Sequence, residues 1–165
     1  MTISIQTNDF DVNVELQALR AGCADPGKIG AIASFIGLAR DLNDGDVVNT
    51  LELEHYPGMT EKALSKIEAD ARARWPLLNV RIIHRIGTLL PQAQIVLVLV
   101  ASSHRAAAFA ACEFIMDTLK TTAPFWKKEQ TAQGTRWVEA KASDEAATAR
   151  WRSVGSNAAP EQKGS

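Results

Sequence analysis

Residues 94–129 read QIVLVLVASSHRAAAFAACEFIMDTLKTTAPFWKKE, an apolar run that passes directly into a helical pattern. Gln94 to Ala101 is a near-continuous apolar strand, the pattern of a strand covered on both faces. Beyond it, Phe109, Cys112, Ile115, Met116 and Leu119 recur at helical spacing and predict a helix with one buried face. Ser102 or Ser103 is placed to cap that helix, with His104 and Arg105 in its first turn. Lys120 closes the periodic run and Thr121-Thr122-Ala123-Pro124 ends it. A Pro-broken extension, Phe125-Trp126-Lys127-Lys128-Glu129, then sets paired lysines beside two large aromatics.

The charges at the two helix ends differ in meaning. Cations in a first turn oppose the helix dipole, at a cost of a few tenths of a kcal/mol each. His104 and Arg105 fit that position if an anion docks there; otherwise they are solvated, with His104 neutral. Lys120 suits a helix C-terminus without any ligand. Lys127 and Lys128 read either as surface lysines or as lysines held stiffly by Pro124, Phe125 and Trp126. A stiff apolar setting depresses a lysine pKa and fits it for proton transfer. His104 and Lys120 stand roughly 24 Å apart along a helix, too far to touch one small molecule. They serve different sites, or a symmetric partner brings one chain's helix start to the other's helix end.

Composition narrows the classes. A chain of 165 residues, 46% hydrophobic and 22% charged, suits one globular domain with an adequate core. We expect that domain to span residues 1–152 and residues 153–165 to be a disordered tail. A formal net charge of -1 disfavours a general nucleic-acid or anionic-membrane binder. No apolar run is long enough to span a bilayer and MTISIQTNDF lacks signal-peptide character, so a cytoplasmic location is expected. Cys23 and Cys112 have no metal-ligand spacing; Cys112 falls on the helix's apolar face and Cys23 in a more exposed loop. The three histidines are scattered, so neither metal nor cofactor is expected.

Working outward, Thr2–Gln6 reads as a strand and Asp11–Ala21 as a helix. Ile29–Gly37 reads as a strand buried on both faces, leading to Leu38-Ala39-Arg40-Asp41 and a polar turn at Asn43-Asp44-Gly45-Asp46. Arg40, at a strand end, suits an anion or a surface ion pair with Asp41 or Asp44. Val47–His55 alternates, Thr60 is placed to cap a helix running to Trp75, and Asn79–Ile86 is a strand whose His84 reads as packed structure. Arg136–Lys141 is a last strand and Asp144–Arg152 a last helix. Hairpins mixed with helices indicate an α+β fold.

Several stretches together carry a family resemblance: LEHYPGMTEKAL (Leu53–Leu64), RWP (Arg74–Pro76), IHRIG (Ile83–Gly87), SSHR (Ser102–Arg105), FIMDTLKTTAPFWKKE (Phe114–Glu129) and RWVEA (Arg136–Ala140). In these the chain resembles the large, catalytic subunit of molybdopterin synthase. The resemblance implies an α/β-hammerhead fold with an additional small antiparallel β subdomain, assembled as a homodimer. It also implies a small ubiquitin-like sulfur-carrier subunit on each protomer, giving a heterotetramer. The carrier's C-terminal thiocarboxylate would supply sulfur to cyclic pyranopterin monophosphate (precursor Z), forming the dithiolene of molybdopterin. On the same resemblance Lys120 and Lys127 are the catalytic pair. Leu38, Ala39 and Arg40 match an anion-holding loop, and His104 and Arg105 a segment lent by the opposite protomer. Lys128 and Glu129 flank the pocket. The chain departs from many relatives at Leu38, Asp41 and Lys141. The rival from another class is a dimeric scaffold that binds the carrier without turnover, but such a scaffold has no need of Arg40, His104, Arg105, Lys120 and Lys127 together.

Overall fold

The computed structural model of the chain describes residues 2–139 and 141–153. Two sheets share the chain. The first runs β1-β5-β7-β2, from strands Ile3–Gln6 (β1), Ala31–Leu38 (β2), Leu77–Arg85 (β5) and Gln94–Ser102 (β7). Here β1 lies parallel to β5, while β7 is antiparallel to both its neighbours. The second runs β3-β4-β8-β9, from Leu42–Asn43 (β3), Asp46–His55 (β4), Phe125–Thr131 (β8) and Gly134–Val138 (β9). Gly87–Leu89 (β6) pairs with β4. The helices are Val12–Ala21 (α1), Met59–Arg74 (α2), Arg105–Thr122 (α3) and Ala142–Ser153 (α4). This is the expected α+β hammerhead arrangement with its small antiparallel second sheet.

The core is built on β7. Its even positions Val96, Val98 and Val100 join Leu64, Ile67, Ile115 and Leu119 of α2 and α3 in one cluster. Its odd positions Leu97, Leu99 and Ala101 join Phe10, Leu19 and Ile83 on the opposite side. Side chains alternate across a strand, so a strand in the middle of a covered sheet needs apolar residues throughout. On α3, Ala108 and Ala111 present small buried surfaces beside the larger Phe114, Ile115, Met116 and Leu119.

Several local expectations are corrected. Phe109 is 67% exposed; about 100° of rotation per helical residue carries it just past the buried stripe. In β2 only Ala33 is buried, and Ser34, Phe35, Ile36 and Leu38 are exposed, because β2 is an edge strand rather than an interior one. Cys23 is buried rather than exposed. Neither serine caps α3: the cap residue is His104, and Ser102 Oγ instead donates to the Pro76 carbonyl at 2.9 Å. Nor does Thr60 cap α2, which starts at Met59 behind Gly58. Thr60 is fully buried, accepting from the Tyr56 N–H and donating to the Pro124 carbonyl, each at 3.0 Å. It thereby ties the start of α2 to the bend between α3 and β8.

Phe125–Glu129, expected as an irregular Pro-broken stretch beyond the end of α3, is part of strand β8 (Phe125–Thr131), and its alternation decides which lysine faces where. The polar turn after Arg40 is a two-residue hairpin with positive φ at Asp44 (52°) and Gly45 (86°), the geometry that matches strand twist. It pairs Asn43 with Asp46. Helix α4 includes Ser153; residues 154–165, the rest of the expected tail, lie outside the described residues. No helix among the described residues is long and apolar enough to cross a membrane.

Candidate functional site

A cleft of about 660 Å³ opens where the two sheets meet at the C-terminal end of α3. Leu38, Ala39 and Arg40 line it from the end of β2, Lys120 from the end of α3, and Lys127 and Glu129 from β8. Asn43, His84, Lys141 and Asp144 extend its polar lining. Six of the nine residues expected at a site therefore share one cavity.

Alternation along β8 selects among its charged residues. Phe125, Lys127 and Glu129 point into the cleft. Trp126 and Lys128 point away: Trp126 meets Tyr56 edge-on at 4.1 Å between ring centroids, and Lys128 Nζ lies 4.6 Å from the Trp137 ring centroid. Lys128, expected at the pocket's flank, thus belongs to the opposite face. His104 and Arg105 are exposed at the far end of α3 and do not line the cleft of their own chain. His104 and Arg105 stand at the first turn of α3 and Lys120 at its last, opposite ends of one 18-residue helix.

The electrostatics favour an anion. Lys120 pairs with Asp144 at 3.7 Å, but its side chain is 46% exposed, so the pair is solvent-screened and weak. Lys127 is crowded by protein yet opens onto the cleft. Loss of solvation lowers its pKa below the ordinary lysine value, and the positive charge of Lys120 lowers it further. Arg40 Nη2 donates to Asn43 Oδ1 at 3.2 Å rather than pairing with Asp41 or Asp44. Ala39 spends both main-chain groups on the strand connection opposite, donating to Ala93 O at 2.9 Å and accepting from the Gln92 N–H at 2.7 Å. It brings no free amide to the cleft.

Glu129 is not a free base. Its Oε1 accepts from Asn43 Nδ2 at 2.8 Å and its Oε2 from Arg136 Nε at 3.1 Å. Arg136 also binds Asp46 at 2.7 Å, and these two carboxylate partners raise its pKa. His84 is packed as expected, stacked on Phe125 at 3.7 Å with Nδ1 bonded to the Arg85 carbonyl at 2.8 Å. It also lines the cleft. Burial, aided by the nearby Lys127 charge, lowers its pKa from 6.5 to about 4, so the ring is neutral near pH 7. Burial likewise pushes the Cys112 thiol up to about 11, which leaves it a core residue rather than a nucleophile. Among the described residues no group of His, Cys, Asp and Glu is arranged to hold a metal ion.

Sequence reading misses Asn43, Asp144 and the cleft-facing side of His84. Asn43 carries no motif, and its importance comes from a partner 86 residues away. His84 follows the alternation of Val80 and Ile82, so its pattern gives packing but not proximity to Lys127.

A family model described as MoaE protein matches residues 5–122. The chain belongs to the MoaE family. A relative in Ralstonia nicotianae, named molybdopterin synthase catalytic subunit, is 62% identical over 95% of this chain and 88% of its own length. The molybdopterin biosynthesis MoaE protein from Burkholderia ambifaria superposes with a TM-score of 0.78 at 60% identity, covering 92% of this chain and 97% of that one. Molybdopterin synthase from Staphylococcus aureus gives 0.73 at 31% identity, covering 82% and 95%. The MoaE family model ends at Thr122, before β8, whereas these similarities span most of the chain.

Proposed function

We propose that this chain is the catalytic subunit of a molybdopterin synthase, a transferase of molybdenum cofactor biosynthesis. In this reading it moves sulfur from the C-terminal thiocarboxylate of a small ubiquitin-like carrier to precursor Z. The observation that carries the proposal is the convergence of Lys120, Lys127 and Arg40 on one cleft in a MoaE-family chain. The name of the Ralstonia nicotianae relative supports the same assignment.

The chemistry follows from the charges. Carrier sulfur attacks a carbon of precursor Z and displaces the oxygen there, which leaves protonated, to give a carrier–pterin thioester. Water then attacks the thioester carbonyl through a tetrahedral intermediate with a developing oxyanion, whose collapse breaks the acyl C–S bond and leaves sulfur on the pterin and a carboxylate on the carrier. Lys120, at the cleft edge, stabilises that charge; donors aimed at a developing oxyanion are typically worth about 3–4 kcal/mol. Lys127, whose ammonium is less tightly protonated than an ordinary lysine's, exchanges a proton with the reacting groups. Arg40 holds the substrate's phosphate, beside the backbone of Leu38. Glu129 orients Asn43 and Arg136 and does not itself carry the proton. Sulfur arrives on the carrier, which is consistent with both cysteines being buried.

The assembly is a homodimer within a heterotetramer, in the cytoplasm. The exposure of His104 and Arg105 away from their own cleft supports their donation to the opposite protomer's site. Purified chain, thiocarboxylated carrier and precursor Z should yield molybdopterin, read as its fluorescent oxidation product. A chain that binds the carrier but makes no product would instead be the non-catalytic scaffold. Mixing Arg105→Ala and Lys120→Ala chains should restore part of the activity; no recovery after verified subunit exchange would refute shared sites.

A further inference from the structure

We propose that Asn43 is a positioning residue: a buried neutral spacer that aims Arg40 and Lys141 into the cleft while keeping them apart from the Glu129 carboxylate. The inference rests on the synthase reading for its substrate, but its geometry stands independently. Asn43 is only 6% exposed. Its Oδ1 accepts from Arg40 Nη2 at 3.2 Å and from Lys141 Nζ at 3.4 Å, while its Nδ2 donates to Glu129 Oε1 at 2.8 Å. Its main-chain carbonyl accepts from Arg136 Nη2 at 3.0 Å.

These partners determine which way the amide points. Reversing it would set an NH2 group against a guanidinium and an ammonium, and an oxygen against a carboxylate. All three side-chain contacts would turn unfavourable. The backbone is equally constrained, since Asn43 opens the hairpin whose next two residues have positive φ.

The consequence is electrostatic. Glu129 lines the same cleft as Arg40 and Lys141. A direct carboxylate–guanidinium pair would be the stronger contact, but it would neutralise the cation that has to meet an anion. The amide gives Arg40 a neutral acceptor instead, and Arg136 occupies the other carboxylate oxygen. Arg40 and Lys141 are thereby oriented and still carry their charge toward the cavity.

Asn43→Asp preserves shape but puts a carboxylate against Glu129 and beside both cations. Adding Glu129→Gln in the same chain restores the donor–acceptor match. The introduced amide NH2 then donates to the introduced carboxylate, and the amide oxygen still accepts from Arg136. The new negative charge stays beside Arg40. A structural role and a spacer role therefore separate in the double variant. We expect Asn43→Asp to unfold at lower urea concentration and to raise KM for precursor Z more than tenfold, with a smaller change in kcat. The double variant should regain the unfolding midpoint and keep the raised KM.

Recovery of both quantities in the double variant would overturn the spacer role, leaving Asn43 merely structural. An unchanged KM in Asn43→Asp would also overturn it. Asn43→Ala, which removes the amide without adding charge, covers the case in which the aspartate variants do not fold. It should raise KM roughly threefold or more, because Arg40 and Lys141 lose their neutral acceptor and can pair with Glu129, and an unchanged KM would refute the spacer. If the wild type makes no molybdopterin, the synthase reading has failed. Inorganic phosphate, titrated by phosphorus NMR against wild type, Asn43→Ala and Asn43→Asp, then decides the spacer alone. Weakest binding by the aspartate variant supports it, and equal binding by all three refutes it.

Discussion

Strands β7 and β8 share the extended backbone of a strand and have opposite tasks. Both alternate their side chains across a sheet. In β7 each face meets a hydrophobic cluster, so the strand is apolar from Ile95 to Ala101. In β8 one face lines the cleft with Lys127 and Glu129, while the other sets Trp126 and Lys128 on aromatic neighbours. The polar strand can be precise because β8 is held by β4 and by the Thr60 bond to Pro124. The first sheet therefore supplies stability, and the second places charge for chemistry.

The largest effect should come from breaking the first half of that contrast. Leu99 is fully buried in the middle of β7. Leu99→Ala should cost about 3–5 kcal/mol in urea unfolding, as buried leucine truncations do. Folded protein recovered from that variant should keep its KM, because Leu99 is on the side of the sheet away from the cleft. A cost under about 1 kcal/mol would mean that β7 is not the packing centre.

The converse substitution is Lys120→Ala. It should lower kcat roughly 10²–10³-fold, the size expected for losing one oxyanion-stabilising donor. Its stability should change by less than about 1 kcal/mol, because the ion pair it loses with Asp144 is half-exposed. Unfolding of this variant would return Lys120 to a structural role. The same variant should raise the Lys127 pKa, since it removes a neighbouring positive charge. A lysine side-chain NMR titration in which Lys127 stays put or falls would contradict the proposed coupling.

His84 sits on the boundary between the two regions and links pH to stability. Its pKa is lowered on folding, from 6.5 to about 4, so the unfolded chain binds the proton more readily. Stability should be complete above about pH 6.5 and fall as pH drops toward 4, by about 3 kcal/mol in all. His84→Phe should remove that part of the acid loss in urea unfolding between about pH 4 and 7. An acid slope identical to that of wild type would show that His84 is not its source.

The contrast between the strands also explains what can be read from sequence. β7 and α3 are legible because burial on one or two faces imposes a period on apolar residues. β2 misleads for the same reason: Ile32, Phe35 and Ile36 look like interior residues, and nothing local says that the strand lies at a sheet edge. β8 is hidden because FWKKEQT has polar residues on both faces, so no apolar alternation survives after Trp126. The lysines that converge on the cleft carry a family resemblance, but the sequence does not carry their orientation. Asn43 is invisible, since its meaning depends on Arg40, Glu129, Arg136 and Lys141 meeting through tertiary structure.

The finest distinction concerns adjacent lysines on β8. Sequence sets Lys127 and Lys128 side by side with equal charge, whereas strand alternation gives them different surroundings. Lys127→Ala should lower kcat about 10²-fold, in the range of a lost proton-transfer group. Lys128→Ala removes a cation from the exposed face of Trp137 and should cost roughly 0.5–1 kcal/mol of stability. Its turnover should change by less than about threefold, because its charge lies on the face turned away from the cleft. Equal catalytic losses would mean that both lysines reach the substrate, which one face of a strand cannot provide. A larger loss at Lys128 would reverse the orientation of β8 altogether. The ratio of the two rates is thus a direct reading of strand register, made without any structural measurement.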